Sequence, residues 1–324
     1  MTWEVRERKG IWLPQIGWHL DAQHSVPQAI VTHAHGDHIA RHREVVCTTP
    51  TARLMRERLG GRRLMRELPF GVGEQLTLDT TVTLWPAGHI FGSAMVHLAH
   101  ADYGTLLYTG DFKLKAGRAA EPCNPVRADV LVMETTFGLP RYVLPPTEET
   151  EAAIVAFCQR TLADGATPVL YAYALGKSQE LLRIVGRAGL PVMLHPQAWQ
   201  LTRVYRELGA AMPPHAEFDA RTHPGHVVIC PHGAPLLDWI NPKRTAAVTG
   251  WAIDSATKYR YGCDEVFPLS DHADFPELLE LVERVQPQRV FTMHGFAREF
   301  ATTLRARGIE AWAVGLANQM ELSW

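Results

Sequence analysis

The sequence predicts an α/β protein with stacked β-sheets in its first part and a parallel α/β unit after them. Three observations predict this fold class. Short β-rich segments dominate residues 1–135, strands alternate with helical segments between about 147 and 267, and a helix–strand–helix pattern follows. With 46% hydrophobic and 20% charged residues, the chain has globular composition, which excludes disordered, collagen-like and coiled-coil proteins.

The first part is predicted to consist of short strands and one helical segment. Residues 51–68 are predicted to be helical, with a break at Gly60 and Gly61. Asp102-Tyr103-Gly104 is typical of a turn that joins two strands into a hairpin. Alternation of apolar and polar residues, or a short apolar run, predicts strands at 16–21, 28–32, 75–84, 94–99, 105–109 and 130–133.

A change of pattern follows at residues 140–146, where three prolines predict a domain boundary. Residues 147–151 then have the acidic first turn of a helix. Beyond it, strands are predicted at 167–172, 191–194, 227–230 and 246–249, with helices at 177–188 and 198–208. Such βαβ alternation predicts a parallel sheet. Helix 276–285, strand 289–293 and helix 297–307 complete the pattern.

Charge and cysteine content narrow the class of protein. The 32 basic and 34 acidic residues give a net charge of −2, so no global basic field indicates nucleic-acid binding. Five cysteines without a CxxC pair predict free thiols in a reducing compartment. The first residues do not resemble a signal peptide, and residues 80–101, although uncharged, contain one proline, two glycines and three histidines. We therefore expect a cytoplasmic protein that does not associate with membranes.

The strongest chemical signal is His33-Ala34-His35-Gly36-Asp37-His38, directly after an apolar strand. His33 and His35 lie two residues apart, so both imidazoles can leave an extended segment on one side. A turn at Gly36 lets Asp37 and His38 face a second point nearby. Imidazole nitrogen together with carboxylate oxygen is a donor set that Zn²⁺ accepts. The motif therefore predicts a metal site.

Three further residues repeat this arrangement, because His89, Asp111 and His294 each follow a predicted strand beside a glycine. A lone histidine after a strand is usually structural, so the prediction depends on the whole set. A carboxylate such as Asp111 can bridge two cations about 3.5–4 Å apart. The seven candidate ligands predict two divalent cations, with Zn²⁺ favoured by the histidines and Mn²⁺ as the alternative.

More motifs accompany these ligands. They are Asp21 at a strand end, Met133-Glu134-Thr135-Thr136-Phe137-Gly138, Leu269-Ser270-Asp271-His272-Ala273-Asp274, Met293-His294-Gly295 and Ala174-Leu175-Gly176-Lys177-Ser178-Gln179-Glu180-Leu181. Together with the HxHxDH motif, they resemble the metallo-β-lactamase fold, and within it the β-CASP nucleases. The last segment carries Lys177 where many members of that family have arginine.

The resemblance implies a fold and a domain organisation. The fold is α/β, a metallo-β-lactamase αββα sandwich with an inserted, flavodoxin-like β-CASP domain. The expected boundaries are residues 1–140 for the first part of the sandwich, 141–266 for the insert and 267–324 for the C-terminal part of the sandwich.

The resemblance also implies an activity, the metal-dependent hydrolysis of phosphodiester bonds, and a role for each motif residue. His33, His35 and His89 are expected to bind one cation, Asp37, His38 and His294 the other, and Asp111 both. Asp21 is expected to support the ligands from behind. His272 is expected to protonate the leaving oxygen, with Glu134 orienting His272 or a nearby ligand. Asp37 therefore counts as both a metal ligand and a catalytic residue.

Substrate class remains open between two nucleic acids. The compact size and residues 290–300 resemble bacterial DNA-ligase-associated exonucleases, which implies a DNA exonuclease in DNA repair with ligase or helicase partners. A histidine in the last motif, His294, is typical of RNA-processing members, so an endo- or exoribonuclease is the alternative. A small-molecule metallohydrolase or a non-catalytic scaffold is disfavoured, because the chain has both the insert and the complete ligand set.

Candidate substrate contacts are basic or hydroxyl residues near these motifs. Lys177 and Ser178 lie at a predicted helix N-terminus, where backbone N–H groups favour an anion. Lys113 closely follows Asp111, and Ser270 precedes His272 by two residues. Six arginines either follow a phosphate backbone or form a solvated helix face, namely Arg53, Arg56, Arg58, Arg62, Arg63 and Arg66.

Overall fold

The computed structural model describes residues 2–315 of the chain, and these fall into two compact units. Within the described residues, the first unit comprises 2–116, 121–142 and 272–315, and the second comprises 117–120 and 143–271. The sequence predicts boundaries after residues 140 and 266. Residues 316–324, the end of the predicted C-terminal segment, lie outside the described residues.

The elements of residues 2–315 are nineteen strands, seven α-helices and two short 3-10 turns. The strands are β1 (Arg6–Glu7), β2 (Ile11–Leu13), β3 (Trp18–Leu20), β4 (Gln28–Ile30), β5 (Glu44–Cys47), β6 (Leu64–Glu67), β7 (Gly73–Thr77), β8 (Thr80–Pro86), β9 (Ala94–His100), β10 (Gly104–Tyr108), β11 (Val130–Glu134), β12 (Thr167–Tyr171), β13 (Val192–Leu194), β14 (Ala216–Glu217), β15 (Val227–Cys230), β16 (Lys243–Val248), β17 (Glu265–Phe267), β18 (Arg289–Met293) and β19 (Glu310–Ala313). The helices are α1 (Thr49–Leu59), α2 (Thr147–Ala163), α3 (Lys177–Arg187), α4 (Pro196–Glu207), α5 (Thr257–Tyr261), α6 (Phe275–Val285) and α7 (Ala297–Ala306), and the 3-10 turns are Pro235–Trp239 and Gly250–Ile253.

Two sheets form the centre of the first unit. One has the order β1-β2-β3-β4-β5-β6, and the other has the order β19-β18-β11-β10-β9-β8-β7. Alternation along the strands directs one face of each sheet inward, where Trp18 and Ile30 of the first sheet share a core with Leu84 and Val96 of the second.

Helices cover the outer faces of this pair of sheets. Leu278 of α6 and Leu304 of α7 pack with Leu107 and Leu131 on the outer face of the second sheet. Helix α1 lies against β6 beside the first sheet. The first unit is therefore an αββα sandwich.

The second unit contains one parallel sheet with the order β14-β13-β15-β12-β16-β17. Its strands β12, β13 and β15 are short, fully buried runs, as expected where both faces of a sheet are covered. One face packs Leu170 and Ile229 against Leu181 of α3. The other face packs Val169 and Val228 with Leu236 of the first 3-10 turn. The parallel sheet predicted from the βαβ pattern is confirmed.

The prediction of a helix over 51–68 is wrong in its second half. Helix α1 ends at Leu59, and residues 64–67 pair in parallel with β5, from Glu44 opposite Leu64 to Cys47 opposite Glu67. The sequence Leu-Met-Arg-Glu has high helix propensity, which pairing to the sheet overrides. Residues 75–84 likewise form a hairpin of β7 and β8 rather than a single strand.

Two further expectations concern cysteines and membranes. All five cysteines are free thiols, as predicted. Within residues 2–315, no helix has both the length and the apolar character needed to cross a bilayer. The uncharged segment 80–101 forms β8 and β9 of the sandwich. The cytoplasmic location stays a prediction.

Candidate metal centre

The predicted ligands lie where strands of the sandwich end. Strands β8, β10, β11 and β18 run in the same direction through the second sheet, so their carboxyl ends meet at one edge. Asp21 follows β3 directly, and His294 follows β18 directly. His33, His89 and Asp111 each stand three residues beyond their strands. This placement makes one edge of the first unit rich in ligands.

Glycines allow the loops at this edge to pack closely. Gly88 has φ +78°, and a Cβ there would lie 2.2 Å from the carbonyl oxygen of Lys113. Gly110 has φ +54°, and a Cβ there would lie 2.5 Å from Thr32 Oγ1. Only glycine fits both the backbone conformation and the contact at each position. The glycine beside His89 and the glycine before Asp111 therefore bring neighbouring ligand loops together.

His33, His35, His89 and Asp111 converge on one point, with all four donor atoms within 4.8 Å of one another. His35 Nδ1 lies 3.1 Å from His33 Nε2 and 3.0 Å from His89 Nε2. Asp111 Oδ2 lies 3.5 Å from His33 Nε2 and 3.7 Å from His89 Nε2. Three imidazoles and a carboxylate therefore face a common centre.

This donor set fits a divalent cation. Ligand atoms at 2.0–2.1 Å from a tetrahedral zinc ion stand about 3.4 Å from each other, close to the separations found here. Burial lowers the pKa of His33 well below its ordinary value, and His38 and His89 lower it further. Neutral imidazole is the form that binds a metal, so the surroundings of His33 favour coordination.

Asp21 supports the ligands from behind. Its carboxylate accepts hydrogen bonds from the Thr32 backbone N–H at 2.8 Å, from Thr32 Oγ1 at 2.6 Å and from Tyr108 Oη at 3.0 Å. His38 Nδ1 lies 2.9 Å from Asp21 Oδ2, which turns His38 Nε2 towards Asp111. Asp21 has φ +48°, an uncommon conformation that its hydrogen bonds hold in place.

A second group of predicted ligands is more open. His38 Nε2 lies 3.3 Å from Asp111 Oδ2 and 3.8 Å from Asp37 Oδ2. The side chain of Asp37 is 70% exposed. The rings of His38 and His294 are 6.1 Å apart between centroids, and His294 is exposed with φ +58°. Asp37 and His294 thus stand beside the four-residue cluster and outside it, so a second cation stays a prediction.

Charges within the centre reinforce each other. Burial alone would lower the pKa of His38, but the carboxylates of Asp111 and Asp21 raise it well above the ordinary value. Burial would raise the pKa of Asp111, yet His38, His272 and His33 hold it well below its ordinary value. Asp111 is therefore ionised and available to cations.

Glu134 and His272 form a pair next to this cluster. His272 Nδ1 lies 2.9 Å from Glu134 Oε1, and the Glu134 side chain is almost fully buried. Glu134 also accepts a hydrogen bond from the Phe112 backbone N–H at 3.0 Å, while the Phe112 carbonyl accepts one from Ala273 N–H at 2.7 Å. The rings of His272 and His89 are 4.7 Å apart between centroids. The chain thus fixes His272 at the edge of the cluster.

The predicted substrate contacts are mostly buried. Lys113 is 4% exposed, and its backbone N–H donates to the Ala87 carbonyl at 3.0 Å. Within the second unit, Lys177 Nζ donates to the Leu269 carbonyl at 2.9 Å and lies 3.2 Å from Asp271 Oδ1. Ser178 Oγ donates to the Tyr173 carbonyl at 2.7 Å, and Ser270 is buried. Their roles towards phosphate stay predictions.

Sequence reasoning missed Thr32, Tyr108 and Phe112. Thr32 and Tyr108 bond to Asp21, and Phe112 joins Glu134 to the His272 loop through its backbone. Thr32 directly precedes His33, and Phe112 directly follows Asp111, so position next to a ligand was the available signal. Nothing in the sequence marks Tyr108, because its partner lies 87 residues away.

Comparison with known proteins agrees with this geometry. Residues 264–314 match the family described as "Zn-dependent metallo-hydrolase RNA specificity domain". The RNase J-like protein of Methanocaldococcus jannaschii is 24% identical over 90% of this chain and 88% of its own length. Together with the sandwich fold and the ligand cluster, these similarities support a β-CASP protein of the metallo-β-lactamase fold.

Other relatives of this chain are longer. A probable DNA ligase of Opitutus terrae is 56% identical over 99% of the chain, which spans 32% of that protein. The transcription termination factor FttA of Pyrococcus abyssi is 34% identical over 43% of the chain and 23% of its own length. The chain therefore corresponds to one part of these proteins.

Proposed function

We propose that this β-CASP chain is a metal-dependent nuclease that hydrolyses phosphodiester bonds in nucleic acid. The observation that carries the proposal is the convergence of His33, His35, His89 and Asp111, with the Glu134–His272 pair beside them. A cluster of metal donors next to an oriented histidine suits hydrolysis of a charged ester. The match to a metallo-hydrolase domain over residues 264–314, which include His272 and His294, supports the same activity.

The ligand roles proposed here are those that the resemblance implies, and the convergence of His33, His35, His89 and Asp111 supports the first cation. His33, His35 and His89 would hold one divalent cation, Asp37, His38 and His294 a second one, and Asp111 would contact both. Divalent cations bound in this way neutralise phosphate charge and lower the pKa of a bound water. Asp21 keeps His38 Nε2 directed at the centre through its 2.9 Å contact with His38 Nδ1.

His272 is proposed to donate a proton to the leaving oxygen. Its Nδ1 atom faces Glu134, so Nε2 is the ring atom that would transfer the proton. Glu134 acts as a positioning residue, because its carboxylate fixes the imidazole orientation and stabilises the charged form of the ring. The side chain of His272 is 23% exposed, which allows it to contact a bound substrate.

DNA is the proposed substrate class, with end trimming in repair as the proposed process. Identity of 56% over 99% of the chain to a protein named probable DNA ligase supports this choice and the proposal of a ligase as partner. A DNA ligase joins only DNA ends that can be ligated, so a nuclease that trims DNA ends would prepare its substrate.

RNA is the second candidate substrate. The match to an RNA specificity domain and the similarity to an RNase J-like protein and to FttA favour it. The domain match covers residues 264–314, which include both His272 and His294. Direct comparison of the two nucleic acids is therefore required.

A cleavage assay on matched, end-labelled DNA and RNA, single-stranded and duplex, tests the proposal with Zn²⁺ or Mn²⁺ added. We expect shortening of one nucleic acid from one end. Asp37→Ala should lose about 100-fold or more in rate, whereas Asp79→Ala, an exposed carboxylate on a turn, should keep wild-type rate. His272→Ala should lose rate with unchanged metal content. Absence of cleavage of both nucleic acids by the metal-loaded protein would contradict the proposal.

A further inference from the structure

Most of the six arginines between residues 53 and 66 already have partners in the fold. Arg53 lies 3.0 Å from Glu57, and Arg56 contacts Glu67. Arg66 donates to the Gln75 carbonyl at 2.7 Å and lies 3.8 Å from Glu44. Arg63 donates to the Gly60 carbonyl. These four side chains therefore stabilise α1, β6 and their connection.

Arg58 differs from these four. It lies on the last turn of α1, and a Cβ built at Gly36 would be 3.5 Å from Arg58 Nη2. The guanidinium therefore lies against the turn between His35 and Asp37. Among residues 2–315, no carboxylate forms an ion pair with Arg58, although Asp37 acts on it electrostatically, in the direction that raises its pKa. The positively charged guanidinium therefore lies beside the metal loop, residues 33–38, without an ion-pair partner.

The surroundings of Arg58 leave room for a ligand. Gly36 presents no side chain to the guanidinium, and the neighbouring Asp37 side chain is 70% exposed. Arg58 is itself exposed, although burial of its inner part lowers its pKa and Asp37 partly offsets that shift. The planar fork of a guanidinium can donate two hydrogen bonds to one phosphate group.

We propose that Arg58 binds a backbone phosphate of the substrate strand, next to the phosphate that is cleaved at the metal centre. The inference rests on the proposed nuclease function and adds to it a path for the strand over the C-terminal turn of α1. Phosphodiester backbone is common to DNA and RNA, so the contact gives affinity and register without selecting between them.

Binding by an inactive protein tests the proposal without cleavage. In a His272→Ala background, fluorescence anisotropy measures the Kd of labelled single-stranded DNA and of RNA over a range of salt concentrations. We expect Arg58→Ala to weaken binding about 10-fold and to reduce the slope of log K against log salt by about one. Arg58→Lys should recover only part of the affinity, because an ammonium cannot form the paired hydrogen bonds.

Two arginine variants serve as comparisons. Arg307→Ala removes the same charge after the last turn of α7, at the opposite end of that helix from His294, and should leave Kd and slope unchanged. Arg62→Ala removes the same charge within the basic segment. An equal loss of affinity in Arg62→Ala would overturn the assignment to Arg58. The summed positive charge of residues 53–66, rather than one contact, would then account for binding.

Further outcomes separate the inference from the proposed function. A protein that neither binds nor cleaves DNA or RNA contradicts both. A protein that binds and cleaves, with an Arg58→Ala variant of wild-type Kd and salt slope, contradicts only the role of Arg58. The metal content of the Arg58→Ala variant should equal that of the His272→Ala protein in which it is made. A lower metal content would show that Arg58 supports the metal loop instead, and would overturn the phosphate contact.

Discussion

His42 is a buried histidine whose two ring nitrogens have no hydrogen-bond partner within the described part of the chain. Its pKa is lowered to about 4, mainly by burial, with smaller contributions from His19, Arg63 and His24 and with Asp21 opposing the shift. Folded His42 therefore stays neutral at a pH where an unfolded histidine, with a pKa of 6.5, takes up a proton. This residue makes the folded state sensitive to mild acid.

We expect His42→Leu to flatten the pH dependence of stability. As pH falls from 6.5 towards about 4, the unfolded wild type gains a proton that the folded state does not, so stability falls over that window. Between about pH 7.5 and pH 5 the loss from this one residue is about 2 kcal/mol. Urea denaturation of both proteins at the two pH values measures it. His226→Leu, outside the sandwich, is the control, and equal slopes for His42→Leu and wild type would contradict the prediction.

Among individual residues, local sequence patterns predict the candidate metal ligands better than they predict contacts between residues distant in sequence. His33, His89 and Asp111 were predictable as ligands because each follows a strand next to a small residue. His33 follows a strand of the first sheet, and His89 and Asp111 follow strands of the second. Lys177 has the local signature of an anion site at a helix N-terminus. Its ammonium lies with Leu269 and Asp271, about 90 residues further along the chain, which no local pattern indicates.

Helix α6 shows how an element carries part of the site. Its N-cap Asp274 accepts a hydrogen bond from Glu277 N–H at 3.1 Å, and Glu277 Oε2 accepts one from Asp274 N–H at 3.1 Å. Lys115 Nζ lies 2.9 Å from Asp274 Oδ2, and Lys115 N–H donates to Glu277 Oε1 at 2.6 Å. The start of α6 is therefore tied to the loop that carries Asp111.

We expect Asp274→Ala to destabilise the protein by about 2–3 kcal/mol. Loss of an N-cap costs about 1 kcal/mol, and removal of the buried carboxylate leaves Glu277 and Lys115 with an incomplete network. Chemical denaturation measures the change. Glu283→Ala, an exposed site on the same helix, should stay within about 0.5 kcal/mol of wild type. A similar loss in both variants would show that the cap contributes nothing specific.

Elements were predictable where the hydrophobic period is clear. Strands β9 to β11 and helix α6 follow their alternating or helical patterns closely. Strand β6 was missed because Leu64–Glu67 has helix-forming residues, and its strand conformation comes from pairing with β5. The hairpin of β7 and β8 was missed because its turn at Leu78 and Asp79 contains neither glycine nor proline.

At the scale of the whole molecule, the first unit gives way to the second after residue 142, within the segment 140–146 that has three prolines, and resumes at residue 272, where no proline run precedes it. Residues 117–120 belong to the second unit although they lie within the first part of the chain. Arg118 explains this, because its backbone N–H donates to Glu180 and its guanidinium binds Glu151 at 2.7 and 2.9 Å. Residues 117–120 join the second unit through contacts with residues distant in sequence, which local sequence patterns do not predict.

All seven candidate ligands belong to the first unit, so metal removal should act on that unit alone. A cation that binds the folded state stabilises it by mass action, and its loss leaves three imidazoles and a carboxylate facing one another. We expect a chelator to increase deuterium uptake in peptides covering 31–38, 87–93 and 109–113. Peptides from β12 and β15 of the second unit should exchange at unchanged rates.

Hydrogen exchange followed by mass spectrometry, with and without chelator, makes this measurement. His35→Ala provides the matched control, since a protein that cannot hold the cation should already show the faster exchange and respond little to chelator. His226→Ala should respond like wild type. Equal acceleration of peptides from both units would contradict a purely local effect and would show that metal binding stabilises the chain as one cooperative whole.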